Sequence, residues 1–141
     1  MRVVAIGTDL LIGSKLESVS MAAGADFARV AGPGGLPSAP QIDLLLVDWS
    51  DATPDWASAL AEWRAAAGTF APRMYVFGPH TDLAAHAQVR AAGLGPMRAR
   101  SWILSQLPTL VASAPASPAN SGQQSARVAG SGPPGRGTDA D

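Results

Sequence analysis

The chain has 141 residues, 47% of them hydrophobic, with a formal net charge of −1 and no cysteine. That length fits one domain with a substantial core. The missing thiols exclude disulfides, a cysteine nucleophile and Cys-ligated metal, while the near-neutral charge speaks against nucleic acid or an anionic membrane as partner.

Arg2–Gly7 is a short apolar run with β-branched residues and is expected to form the first strand. It is too short for a signal-peptide core and is soon followed by Asp9, and no later stretch approaches the ~20 apolar residues of a membrane span. A cytoplasmic protein is therefore expected. The Ala, Gly, Pro and Arg bias, with a single lysine, suggests a GC-rich bacterial genome. From Asp9 to Ala23 the apolar residues Ile12, Leu16, Val19 and Ala23 recur on one helical face, and Gly24 supplies a stop. Asp26–Ala31 reads as a weaker second strand.

Gly32 to Gln41 is rich in glycine and proline, so it should cross as an extended loop instead of a helix, leaving one sheet face thinly covered. Ile42–Asp48 is nearly continuous in apolar residues, as a central strand buried on both faces requires. Thr53-Pro54-Asp55 opens the next helix, whose inward stripe is Trp56, Leu60, Trp63 and Ala67. Arg73–Gly78 is the fourth strand, Thr81 the expected cap of a helix to Ala92, and Pro96–Ala99 a short fifth strand. Ser101 is the expected cap of a last helix that turns Ile103, Leu107 and Leu110 inward, with Pro108 set to kink or end it near Gln106. Residues 1–112 thus form the domain. Residues 113–141 hold one large aliphatic, Val128, and are expected to be a disordered Ala/Pro/Ser/Gly tail.

Strands alternating with helices imply an α/β domain around a parallel sheet, and ligands of such sheets gather at the strand C-terminal ends. The residues with chemistry there are Asp9, Asp48, His80, Arg100 and Ser101. Asp9 can equally cap the first helix. An ion pair of Asp48 with Arg98 or Arg100 would tie two loops together. His80 follows a Gly-Pro turn, and Arg100-Ser101 at a helix start could meet an anion. Trp49 and Trp102 flank this rim and are the tryptophans expected to be exposed.

An aspartate after the first strand, another ending the third, and basic residues after the fifth resemble the receiver domain of bacterial response regulators, over about residues 1–111. The resemblance implies a flavodoxin-like three-layer sandwich with a five-stranded parallel sheet of order 2-1-3-4-5, here with the second helix reduced to a loop. It also implies that Asp48 stands at the phospho-acceptor position. Around it, Gly7-Thr8-Asp9 offers one acid where the resemblance implies a magnesium-binding pair. Val76-Phe77-Gly78 has no hydroxyl, and Arg98-Ala99-Arg100-Ser101 stands where a lysine is usual.

The expected function is a stand-alone, non-catalytic pseudo-receiver, not an enzyme, with no metal or cofactor, Mg²⁺ entering only if Asp48 is phosphorylated. Its partner would be a protein or a second copy docked on the Leu83–Val111 face, with Trp102 as anchor. Two alternatives are a phospho-accepting receiver using Asp48 and a small anion- or nucleotide-binding protein or enzyme at the rim.

Overall fold

The computed structural model describes residues 1–113. The expected tail, apart from Ser113, lies outside the described residues. Strands β1 (Arg2–Ile6), β2 (Asp26–Val30), β3 (Leu44–Asp48), β4 (Arg73–Phe77) and β5 (Met97–Arg98) form one sheet. Every pairing is parallel and the order is β2-β1-β3-β4-β5. This is the flavodoxin-like architecture that the receiver resemblance implied. Helices α1 (Leu10–Ala22), α2 (Trp56–Ala67), α3 (Leu83–Ala91) and α4 (Arg100–Ser113) connect and cover the strands. No described helix is long and apolar enough to cross a membrane.

Side chains alternate across a sheet, so each strand divides its residues between two layers. Val3, Ala5, Leu44, Leu46 and Phe77 enter one buried cluster with Ile12, Leu16, Ile103 and Leu107. Val4, Ile6, Leu45, Val47 and Val76 enter the other with Trp56, Leu60 and Val89. All five residues of β3 are buried, which explains why its sequence carries no polar alternation before Asp48.

The helix starts are displaced from their expected residues in three places. Asp82, not Thr81, caps α3, accepting from the Ala85 N–H at 3.0 Å. The N-cap of α2 is Asp55, and the Thr53 hydroxyl donates to the Asp55 carboxylate. That bond holds the exposed Asp55 carboxyl below its ordinary pKa. Helix α4 begins at Arg100, with the Ile103 N–H bonded to the Ala99 carbonyl, so Ser101 lies inside the first turn and not at the cap.

Pro108 does not end α4, which continues to Ser113. A proline inside a helix costs about 3 kcal/mol. Ile103, Leu107, Leu110 and Val111 are buried on both sides of it, and each such side chain contributes roughly 1.5–3 kcal/mol. Burial therefore outweighs the lost hydrogen bond, and exposed Pro108 turns its ring to solvent.

Between β2 and β3 the chain makes two single 3-10 turns, Pro33–Gly35 and Ala39–Gln41, and no α-helix. The sheet beneath is nevertheless covered. The turns pack on α2, and the indole of Trp56 lies beside Gly32, where a Cβ would sit 3.9 Å from its Cζ2 and Nε1 atoms. Trp56 meets Trp49 edge to face, with centroids 6.0 Å apart. Trp49 is thus buried at 5% exposure, contrary to its expected place on the surface. A large side chain has taken up the volume that the short crossover leaves open.

Candidate functional site

The C-terminal ends of β1 and β3 lie side by side in register, Ile6 against Val47. Consequently Asp48, on the residue after Val47, faces the β1–α1 loop. The residue is 2% exposed. One oxygen, Oδ1, accepts the Ser50 N–H at 3.1 Å and the Ser50 hydroxyl at 2.6 Å. This is a carboxylate bonded to the backbone two residues on, a pattern that Asp-x-Ser at a strand end permits. The other oxygen, Oδ2, is buried with no hydrogen-bond partner among the described residues. Beside Asp48 lies a cavity of about 10 Å³ whose walls include Gly7, Asp9, Gly13 and Arg29. Such a volume admits at most about one water molecule.

Gly7 makes this close approach between strands workable. Its φ is 153°, and a Cβ there would come within 3.0 Å of the Asp48 Cβ. Gly7→Ala is expected to destabilise the fold by about 1–3 kcal/mol through backbone strain and the clash with Asp48. Urea denaturation measures this, and a loss under about 0.5 kcal/mol, within the range of an ordinary surface change, contradicts it.

Asp9 caps α1, its Oδ1 accepting the N–H groups of Leu11 at 3.0 Å and Ile12 at 3.3 Å. Its Oδ2 faces the Arg100 guanidinium at 3.9 Å, and both side chains are substantially exposed, at 36% and 43%. An exposed pair of this length contributes ~0–1 kcal/mol. The same Arg100 Nη2 donates to the Ser50 hydroxyl at 3.1 Å. Arg100 therefore reaches Asp48 only through Ser50, and the expected direct ion pair of Asp48 with Arg98 or Arg100 is replaced by the relay Asp48–Ser50–Arg100–Asp9. Arg98 turns elsewhere, onto the ring of Trp102.

His80 and Ser101 are not part of that relay. Both are exposed and line an open groove of about 320 Å³ with Arg100, Gly78, Pro79 and Ala99. His80 makes no hydrogen bond to Asp48, whose partner is Ser50. Ser50 and Asp51 are the rim residues that the sequence reading passed over. Asp51 Oδ2 accepts the Thr8 N–H at 2.7 Å and the Thr8 hydroxyl at 3.2 Å, fastening the β3–α2 loop to the β1–α1 loop. Spacing alone cannot pair residues 43 positions apart, although the Asp48-x-Ser50 turn could have been found.

The three rim carboxylates are thus engaged: Asp9 as a cap, Asp48 with Ser50, Asp51 with Thr8. Among the described residues no group of three or more His, Asp or Glu side chains could hold a metal ion. The arrangement does not fit the paired-acid magnesium site that the receiver resemblance implies.

No protein-family model and no curated protein matches the sequence. A solved structure does match in three dimensions, a response regulator receiver domain protein from Clostridium thermocellum. The TM-score is 0.60 at 14% identity, covering 80% of this chain and 92% of that one. At that identity the likeness speaks for the fold, which is receiver-like.

Proposed function

We propose that this chain is a non-catalytic pseudo-receiver, a regulatory module that works by binding a protein and not by accepting a phosphoryl group. The observation that carries this reading is the enclosure of Asp48, 2% exposed beside a cavity of about 10 Å³. A phosphoryl group adds phosphorus and three oxygens, more than a space for one water can take. Charge points the same way. A carboxylate attacking a phosphate anion needs cations to offset like-charge repulsion. Here Arg100 is directed at Asp9 and Ser50, and Arg29, in the wall of the cavity beside Asp48, makes no ion pair with it. The rim reads as a structural knot that fixes three loops.

The surface left to act is the Leu83–Val111 face, where Trp102 is half-buried against Tyr75 and Arg98. This face is our candidate for docking a partner. Composition supports a bacterial, cytoplasmic protein.

The test is direct. Incubation with acetyl phosphate and Mg²⁺ should leave the intact mass of the protein unchanged. A phosphoryl mass gain that Asp48→Asn removes would overturn the reading and establish a phospho-accepting receiver.

A further inference from the structure

Along the edge of the sheet where β4 and β5 meet α4, four side chains form a continuous ladder. The Arg73 guanidinium lies 5.7 Å from the centroid of the Tyr75 ring, and its Nη2 donates to the Tyr75 hydroxyl at 3.3 Å. Tyr75 packs against Trp102 with centroids 5.8 Å apart, and Arg98 stacks over Trp102 at 4.4 Å. Register explains the grouping. Arg73 and Tyr75 alternate on β4, Arg98 pairs with Phe77, and so all three emerge on the α4 side of the sheet.

Trp, Tyr and Arg are the residues most enriched among binding hot spots, and here they form one contiguous cluster. Stacking on Trp102 holds the Arg98 guanidinium and the Tyr75 bond holds that of Arg73, and each keeps further N–H groups that can meet a carboxylate. Among the described residues neither Arg73 nor Arg98 meets a carboxylate; the recorded ion pair is Arg100 with Asp9 at the rim. The wider charge distribution is polarised in the same sense. Residues 1–63 carry Arg2, Lys15 and Arg29 against eight carboxylates, whereas residues 64–113 carry five arginines against Asp82 alone. The β2–β1–β3 side of the sheet is therefore acidic and the β4–β5 side basic.

We propose that the Arg73–Tyr75–Trp102–Arg98 ladder is the docking site for an acidic protein surface. This rests on the reading of the Leu83–Val111 face as an interface, and it names what that face receives. It also excludes one occupant. A symmetric dimer brings the same patch together on both copies. Through this ladder it would oppose arginine to arginine with no carboxylate between them, and like-charge juxtaposition penalises such a contact.

A twelve-residue poly-glutamate peptide is the probe, titrated into ¹⁵N-labelled full-length protein at low and high salt. The Trp102 indole N–H should shift saturably, and binding should weaken as salt rises. Arg98→Glu and Arg73→Glu should each weaken binding at least about tenfold, the equivalent of 1.4 kcal/mol. Arg2→Glu, exposed at the start of β1, should change it little. If a charge reversal prevents folding, Arg98→Gln and Arg73→Gln test the same point with less disturbance. A poly-lysine peptide of equal length should leave the indole unmoved. The proposal is overturned if the shifts map away from the ladder, if a single-stranded oligonucleotide binds it more tightly than the peptide, or if the protein forms a symmetric dimer centred on Trp102. That last outcome would preserve the interaction-module reading and remove only the acidic partner. Phosphorylation of Asp48 would remove the pseudo-receiver reading while leaving ladder binding as measured.

Discussion

Trp56→Ala is expected to lower stability by about 3–5 kcal/mol, the range for deleting a large aromatic from a core. This side chain is 5% exposed, meets Trp49 edge to face, and belongs to the same buried cluster as Leu60 and Val76. Its importance follows from the crossover between β2 and β3. Ten residues containing three glycines and three prolines cannot cover a sheet face as a helix would, and the two 3-10 turns there bury only Ala39. The indole fills the space instead, so the cavity left by alanine has no neighbouring helix to collapse into it. Urea denaturation monitored by far-ultraviolet circular dichroism reports the change. A loss near 1 kcal/mol, far under this range, would mean that the crossover closes over the gap and that Trp56 is not its support. Trp63→Ala, at a partly buried position two turns along the same helical face, is the comparison, and it should cost less.

Leu45→Ala carries the second large effect, about 2–5 kcal/mol. Leu45 has 0% exposure and is the second residue of β3, in register with Val4 on one side and Met74 on the other. Strand neighbours on both edges and a covered face hold the backbone in place, so relaxation into the void is limited and the upper part of the range is expected. Domains of this size have total stabilities of roughly 5–15 kcal/mol, so the variant should be close to unfolding at physiological temperature. A drop under 1 kcal/mol would be incompatible with a central β3.

The two losses differ in origin, and the difference bears on function. Leu45 supports a sheet that any chain of this architecture needs. Trp56 and Trp49 brace the loop that begins at Asp48, and Ser50 and Asp51 lie on the turn between them. The rim knot and the second core cluster are therefore neighbours. Loosening Trp56 should also loosen the Ser50 bonds that enclose Asp48, which makes Trp56→Phe a useful gentler variant for asking whether Asp48 then becomes reactive toward acetyl phosphate.

By itself the amino-acid order determined the alternation of strands and helices, the central place of Ile42–Asp48 and the absence of a helix in the Gly/Pro-rich crossover, whereas the strand order was expected only from the receiver resemblance. The first three follow from local terms: apolar periodicity, glycine and proline backbone limits, and the short reach of each connection. Asp9 as the cap of α1 was legible for the same reason, since its bonds go two and three residues along the chain. Only the tertiary structure decided what the rim does. Arg100 reaches Ser50 across fifty positions and Thr8 reaches Asp51 across forty-three, distances in sequence that no local pattern encodes. The fate of Pro108 was likewise a tertiary matter, because packing of α4 on α1 outweighs a local helix-breaking preference. So was the burial of Trp49, which depended on the empty volume beside a short crossover. Local propensity chose the elements, and the energy of closing them on one another chose whether Asp48 would face water or be sealed from it.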